Sequence, residues 1–280
     1  MRDFPELTKP RITALVLVCT AVGYLFGPRA PLVLSALINV LIGTALMASG
    51  TSARNQWHEA DCDARVRRTC ARPIPSGRIE RARIHFRSGI VRSRSRRLWY
   101  GTNALAAWLG LSTMLAYMLV YTPMKRRSSA CTTVGAVPGA MPPRIGYAVS
   151  HGSLDASAFT LFCILFVWQF PHFYAIAWMY REDYARSGIR MLPVVEPDGE
   201  STARRIVARS ILLIPVSLLP RIPGMTGSLY AGAAVVAGAG LLWLGVRPGR
   251  ERYCINARRV LLASVCYLPV LLAAMVLDSL

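Results

Sequence analysis

The chain has 280 residues, of which 54% are hydrophobic and only 17% charged, so its apolar residues exceed what the core of one soluble domain would hold. Lys and Arg number 33 against 14 Asp and Glu, a formal net charge of +19, but the basic residues lie mostly between apolar segments, without an aromatic-rich nucleic-acid motif. The composition argues against a soluble domain and a nucleic-acid binder, and indicates a membrane protein with basic connections beside anionic lipid.

Apolar segments of about 20 residues, the length that crosses a bilayer as a helix, follow one another along the chain. We predict that eight of them form transmembrane helices of one all-α bundle, a single domain over residues 1–280. These segments cover residues 12–27, 32–50, 102–122, 131–149, 156–179, 206–220, 228–246 and 259–278. Lys9 and Arg11 precede the first segment and place the N-terminus in the cytoplasm by the positive-inside rule.

Two of these segments contain proline and ionisable residues that disfavour a regular lipid-exposed helix. They are 131–149, with Pro138, Pro142, Pro143 and Arg144, and 156–179, with Pro171 and His172. Irregular backbone at membrane depth is tolerated only where protein surrounds it. We therefore predict that both segments are broken or kinked inside the bundle.

Strongly basic connections follow the second, third, fifth and seventh segments. If all of them lie in the cytoplasm, one further crossing is needed near residues 80–100. The anomalous stretch 81–100 contains Arg87, Arg92, Arg94, Arg96 and Arg97, whose insertion would cost on the order of 10 kcal/mol. We predict nine transmembrane helices, the third of them degraded or misread here, for example through two compensating frameshifts. The alternative is a basic helix lying on the membrane surface.

The connection after the second segment contains oxygen-bearing side chains at a helical spacing. Asn55, Glu59 and Asp63 recur every four residues, so a helical extension would align them in one stripe. Mg²⁺ binds through one or two carboxylates together with substrate phosphates, which makes the stripe a candidate diphosphate site. Arg65, Arg72 and Arg78 are candidates for direct phosphate contacts. The alternative is that these charges pair with one another on a solvated face.

The residues from Asn55 to Arg78 match a longer signature, N/D-x-x-x-D/E-x-x-x-D followed by RTxxRPxPSGR. Further matches are Leu7-Thr8-Lys9-Pro10-Arg11, Tyr121-Thr122-Pro123-Met124-Lys125-Arg126, Trp168-Gln169-Phe170-Pro171-His172-Phe173 and Trp178-Met179-Tyr180-Arg181-Glu182-Asp183-Tyr184. On these motifs the chain resembles the heme-farnesylating branch of the UbiA prenyltransferase superfamily. The resemblance covers most of the chain outside residues 81–100.

The resemblance implies roles for particular residues. Asn55, Glu59 and Asp63, together with Asp183 in a second acidic region, would hold Mg²⁺ on the diphosphate of an isoprenoid. Lys125 and Arg126 fall where the family places basic diphosphate contacts, although they could instead be a positive anchor at a helix end. The alternative for Asp183 is a loop acid paired with arginine. His172 is a candidate heme contact, as ligand or proton donor, or a histidine satisfied by a neighbouring helix.

The implied protein is a UbiA-type bundle in the cytoplasmic membrane, with its diphosphate site on the cytoplasmic face. It would transfer farnesyl from farnesyl diphosphate to the 2-vinyl group of heme b, with addition of water, giving heme O and diphosphate. Heme b is then a substrate and Mg²⁺ the cofactor, and a heme A synthase or a terminal oxidase assembly could act downstream. Three alternatives stay open: an aromatic prenyltransferase acting on a quinone precursor, a transporter or noncatalytic membrane subunit, and a family member inactivated by loss of its third span.

Overall fold

The computed structural model describes residues 3–27, 32–67, 69–79, 101–245 and 253–279. The arginine-rich stretch 81–100, and with it the predicted third crossing, lies outside the described residues. Every regular element in the described part of the chain is helical, as the composition predicts.

Each of the eight predicted apolar segments coincides with one or two helices over most of its described residues, and several helices extend beyond the predicted limits. The helices are α1 (Asp3–Leu7), α2 (Pro10–Leu25), α3 (Leu34–His58), α4 (Ala60–Asp63), α5 (Ala104–Leu115), α6 (Thr122–Met124), α7 (Cys131–Gly139), α8 (Pro142–His151), α9 (Ala156–Met179), α10 (Arg181–Arg186), α11 (Leu192–Val195), α12 (Glu200–Leu218), α13 (Ser228–Gly245) and α14 (Tyr253–Ser279). A π-helical stretch, Ala116–Tyr121, joins α5 to α6.

Five of these helical stretches are long and apolar enough to cross a membrane. They are Leu34–His58, Ala104–Met124, Ala156–Met179, Ser228–Gly245 and Asn256–Ser279, and Pro10–Leu25 is a shorter apolar helix. The segment 131–149 is divided between two short helices, and α12 begins with charged residues. The chain is therefore a multi-pass membrane protein, while the total of nine crossings stays a prediction.

The prediction of broken helices holds for only one of the two proline-containing segments. Helix α7 ends at Gly139 and α8 begins at Pro142, so the segment 131–149 is interrupted. Helix α9 instead continues through Pro171 without a break, while a kink at this position stays a prediction. Most side chains around Pro171, such as Trp168 and Phe170, are buried against other helices, and this packing holds the helix together despite the missing proline N–H.

Two glycines allow helices α2 and α8 to pack with their backbones in contact. A Cβ atom on Gly23 would lie 2.0 Å from the Pro143 carbonyl oxygen, and one on Gly146 would lie 1.9 Å from the Thr20 carbonyl oxygen. Small residues at such crossings are typical of helix packing in membranes, where close van der Waals contact replaces the hydrophobic effect.

Helix α9 is the centre of the bundle and packs against α7, α8, α12 and α14. The loops that follow α3, α6 and α9 meet at one end of the bundle. There the Lys125 carbonyl, just after α6, accepts a hydrogen bond of 2.8 Å from the Arg190 N–H in the loop after α10, the short helix that follows α9. This end collects the two acidic regions and most of the basic residues singled out in the sequence.

Candidate functional site

The predicted stripe of Asn55, Glu59 and Asp63 begins in α3 and continues past its end. Helix α3 stops at His58, and Glu59 links it to the single turn of α4, so the expected continuous extension is interrupted at Glu59. The backbone bonds from Glu59 N–H to the Asn55 carbonyl (2.9 Å) and from Asp63 N–H to the Glu59 carbonyl (2.7 Å) persist. The three residues therefore stay on successive turns, and Asn55 Nδ2 donates to Glu59 Oε2 at 2.8 Å.

Residues at the end of the next described helix complete this part of the site. Lys125 Nζ donates to Glu59 Oε1 at 2.6 Å, and Thr122 Oγ1 donates to Asn55 Oδ1 at 3.2 Å. Burial opposes ionisation of Glu59, but the Lys125 ammonium outweighs it and holds the pKa of Glu59 below its usual value. Burial also acts to lower the pKa of Lys125, yet Tyr121 and the Glu59 carboxylate raise it well above the usual value. Both groups are therefore charged at neutral pH.

The loop after α4 places a second ion pair beside the first. Arg72 donates to Asp63 Oδ2 at 2.6 Å, and Thr69 Oγ1 donates to the Asp63 carbonyl at 2.9 Å, which fixes the turn between them. Asp63 is buried, whereas Arg72 is partly exposed. Arg72 is thus the member of the pair that a ligand arriving from outside would meet.

Two adjoining cavities open between these elements. The first has a volume of about 300 Å³ and is lined by His58, Glu59, Cys62, Met118, Thr122, Pro123, Lys125, Arg126, Arg127 and Ile189. The second has a volume of about 270 Å³ and is lined by Asp61, Cys62, Arg65, Arg126, Ser187 and Gly188. Arg126 lies between them and donates to Cys62 Sγ at 2.7 Å. Of the sequence-predicted cations, Arg65, Lys125 and Arg126 therefore face the cavities.

Arg78 is directed elsewhere. Its guanidinium is bonded to Asp3 and Glu6 of α1, so it fastens the end of the loop to the N-terminal helix. Arg78 lines neither of the two cavities. Arg72 also lines neither cavity, but its partner is Asp63 of the acidic stripe, so the two arginines differ in the groups that they bind.

The second acidic region flanks the same end of the bundle. Asp183 is buried and accepts a 2.8 Å bond from Arg186, whereas the Glu182 side chain is 79% exposed. Asp183 lines neither cavity, but Ser187 and Gly188, which follow it, line the second one, and Ile189 lines the first. The two acidic regions, more than a hundred residues apart in sequence, thus border one pair of cavities.

Lys9 belongs to this site, although the sequence predicted for it only a role in the orientation of the N-terminus. It lies immediately before α2 with φ 49° and ψ 65°, the only positive φ of a non-glycine residue among the described positions. Burial, Arg72 and Lys125 lower the pKa of Lys9 to about 8, while Glu59 acts in the opposite direction. The available signal was its place in the Leu7-Thr8-Lys9-Pro10-Arg11 match. His58, which lines the first cavity, was also missed.

The oxygen donors suit a magnesium ion that shares its coordination sphere with a ligand. Asn55, Glu59 and Asp63 offer hard oxygen atoms on successive turns, and Mg²⁺ commonly takes only one or two carboxylates, with water and phosphate completing the shell. Within the described ranges no group of three or more His, Cys, Asp or Glu is close enough to hold a metal ion unaided. Here Glu59, Asp63 and Asp183 are each paired with a basic side chain, as the alternative interpretation of the stripe predicted.

His172 lies deeper in the bundle, on α9. Its Nδ1 is 2.9 Å from Ser264 Oγ on α14, and its ring stacks on Trp168 with centroids 5.0 Å apart. A neighbouring helix therefore satisfies one nitrogen of His172, one of the two possibilities that the sequence left open. The structure does not bring His172 into the two cavities at the end of the bundle.

Comparison with known proteins identifies one family. The UbiA prenyltransferase family profile matches residues 16–274. A protoheme IX farnesyltransferase from Solibacter usitatus is 52% identical over 99% of both chains, and one from Koribacter versatilis is 44% identical over 99% of this chain and 93% of its own length.

Solved structures share the fold at low identity. A digeranylgeranylglyceryl phosphate synthase superposes with a TM-score of 0.81 at 15% identity, covering 99% of this chain and 98% of its own. A UbiA homologue from Archaeoglobus fulgidus bound to DMAPP and Mg²⁺ superposes with a TM-score of 0.70 at 14% identity, covering 96% of this chain and 99% of its own.

Proposed function

The chain belongs to the UbiA prenyltransferase family, and from that premise we propose that it farnesylates heme b. The farnesyl group of farnesyl diphosphate is transferred to the 2-vinyl group, water adds, and heme O and diphosphate leave. The observation that carries this proposal is the 52% identity, over 99% of both chains, to a protoheme IX farnesyltransferase. The motifs around Arg72 and His172 are the same ones that indicate the heme-farnesylating branch.

The diphosphate is assigned to the two cavities beside Lys125. Lys125, Arg126 and Arg65 line these cavities and would bind its oxygens. Arg72, paired with the neighbouring Asp63, and Lys9 would add further positive charge. When the bond between C1 of the farnesyl chain and its oxygen breaks, the electron pair leaves with the diphosphate. Fixed cations in a site of low polarity stabilise this growing negative charge without reorganising, which is the largest expected contribution to the rate.

Asn55, Glu59, Asp63 and Asp183 are the proposed magnesium ligands. When bound, Mg²⁺ supplies additional positive charge to the departing diphosphate. Without the ligand, Glu59 is paired with Lys125 and Asp63 with Arg72. A complex of Mg²⁺ and diphosphate carries both signs of charge, so each pair can exchange its partner for the ligand without leaving a buried charge unpaired.

The acceptor reacts inside the apolar bundle. A vinyl carbon of heme b attacks C1 of the farnesyl cation, and the cation formed beside the porphyrin takes up water, which then loses a proton. Shielding by the helices keeps the first cation from bulk water until the vinyl group reaches it. His172 is the residue we assign to the heme.

Two rival functions, a quinone-precursor prenyltransferase and a transporter or noncatalytic subunit, have less support. A quinone-precursor prenyltransferase would share the diphosphate site, but the relatives of highest identity given above are both named for protoheme IX. A transporter or noncatalytic subunit has no support, because these relatives are prenyltransferases. We also assign the diphosphate site to the cytoplasmic face, because basic residues surround it. The assigned downstream partner is a heme A synthase or an oxidase assembly.

The direct test is heme extraction from a host that lacks its own heme O synthase and expresses this chain. Chromatography with mass detection should show a peak at the mass of heme O, and Asp63→Ala should abolish it. If only heme b is present, the same host should receive a variant with an apolar helix in place of residues 81–100. Heme O from that variant would locate the defect in this segment, and its continued absence would contradict the proposal.

A further inference from the structure

His172 is held by contacts with Ser264 and Trp168 that favour one arrangement of its ring proton. Ser264 is fully buried, and its hydroxyl donates to the Leu261 carbonyl of its own helix at 2.7 Å. A hydroxyl has one proton to give, and when that proton goes to the Leu261 carbonyl, the serine oxygen accepts at the 2.9 Å contact with His172. In this arrangement Nδ1 of His172 is the protonated nitrogen and Nε2 carries a free lone pair.

The same two helices also fix the plane of the imidazole. Trp168 Nε1 donates to the Ser264 carbonyl at 2.8 Å, which ties the indole to the residue that binds His172. The indole then stacks on the imidazole, at 5.0 Å between centroids and 22° between planes. Both the hydroxyl and the carbonyl of Ser264 thus act on His172, one directly and the other through Trp168.

The second ring nitrogen of His172, Nε2, is left available in a half-buried side chain. Within the described residues, Nε2 of His172 has no hydrogen-bond partner. The position is about two helical turns, or roughly 10 Å, from the end of α9 that leads to Asp183. A histidine that donates through one nitrogen to a fixed acceptor and presents the other unprotonated is the usual arrangement of a metal ligand.

We propose that Ser264 is a positioning residue that fixes the tautomer and plane of His172, so that Nε2 ligates the iron of the substrate heme. This inference rests on the proposed function, because it takes heme b as the acceptor. Iron ligation would fix one face of the porphyrin relative to α9. It would also make the enzyme select metalloporphyrins over the metal-free ring.

The experiment is a titration of the purified full chain, in detergent, with heme and with metal-free protoporphyrin IX, followed by visible absorption. The wild type should show the spectrum of histidine-ligated heme and bind heme more tightly than the metal-free ring. His172→Ala should lose that spectrum and regain it with added imidazole. Ser264→Ala should bind heme about 10-fold or more weakly with unchanged affinity for the metal-free ring, and Ser264→Thr, which keeps the hydroxyl, should restore binding.

Ser217→Ala is the matched control. Ser217 is equally buried, its hydroxyl contacts the Tyr267 hydroxyl at 2.6 Å, and its carbonyl accepts from Tyr230 at 2.7 Å, so the variant loses a comparable bond elsewhere in the bundle. It should leave the heme spectrum unchanged. Equal weakening for both porphyrins in Ser264→Ala, or a ligated spectrum retained in His172→Ala, would overturn the proposal. A wild type that ligates heme but yields no heme O would contradict the proposed function alone.

Discussion

Lys125 and Glu59, 66 residues apart in the sequence, form an ion pair of 2.6 Å between Nζ and Oε1. Their side chains are only 11% and 14% exposed, so neither charge is well hydrated without the other. The pair joins the end of α3 to the end of α6 and fixes one wall of the first cavity. It is therefore both a structural link and, in the proposed function, the point at which the diphosphate enters.

Removing one member of this pair should cost more stability than removing both. Lys125→Met leaves a buried carboxylate without a partner, at a cost of about 3 kcal/mol, whereas Glu59→Gln together with Lys125→Met leaves no unpaired charge. We expect the double variant to unfold at a higher temperature than Lys125→Met. Both should lack heme O formation. Equal stability of the single and double variants would contradict a coupled pair.

Asp63→Ala should lower kcat at least about 100-fold while the protein still inserts into the membrane, because a charge that acts on the departing diphosphate is lost. Removing divalent cations with a chelator should stop the wild type, and added Mg²⁺ should restore it. Glu200→Gln is the control, since Glu200 pairs with Arg204 on an exposed surface. Wild-type turnover in Asp63→Ala would refute the magnesium assignment.

Lys9 should give the site a dependence on pH. With a folded-state pKa of about 8, its ammonium is lost as pH rises through that value, so the KM for farnesyl diphosphate should increase above it. Lys9→Arg, which stays charged, should flatten this limb of the profile. In the unfolded chain Lys9 keeps its proton up to about pH 10.4. The free-energy penalty that burial of Lys9 imposes on folding should therefore decrease as the pH rises from about 8 to about 10.4. An unchanged KM profile in Lys9→Arg would remove Lys9 from the site.

Arg78 and Arg72, six residues apart, should behave differently when changed to alanine. Arg72→Ala should raise the KM for farnesyl diphosphate about 10-fold, the value of one charged hydrogen bond. Arg78→Ala should change it little and lower stability by about 1 kcal/mol at most, because its partners on α1 are partly exposed. Steady-state kinetics on both variants distinguishes these roles, and an equal rise in KM would return Arg78 to the diphosphate site.

Gly23→Ala should destabilise the packing of α2 on α8 by about 1–3 kcal/mol, since the added methyl meets the Pro143 backbone. Gly232→Ala is the matched control, because a Cβ there has open space around it in α13. That variant should be neutral or gain up to about 1 kcal/mol from better helix propensity. Thermal unfolding in detergent compares the two, and similar losses would contradict the close crossing.

The sequence by itself determined the helices and the acidic motif. Apolar segments of bilayer length are local features, so all eight predicted segments could be located without knowing what they contact. Asn55 and Glu59 were predicted to be neighbours because residues four apart share a helix face. The proline-containing segment 131–149 was correctly predicted to be broken, whereas α9 continues through Pro171, since burial of the residues around this proline overrode the local preference for a break.

Only the tertiary structure decided which charges meet. Lys125 reaches Glu59, Arg78 binds α1, and Lys9 joins the site because helices distant in sequence end at the same side of the bundle. His172 and Ser264, 92 residues apart, share a hydrogen bond for the same reason. Nothing in the spacing of these residues encodes such contacts, because they depend on how whole helices cross and on the cost of burying a charge without a partner.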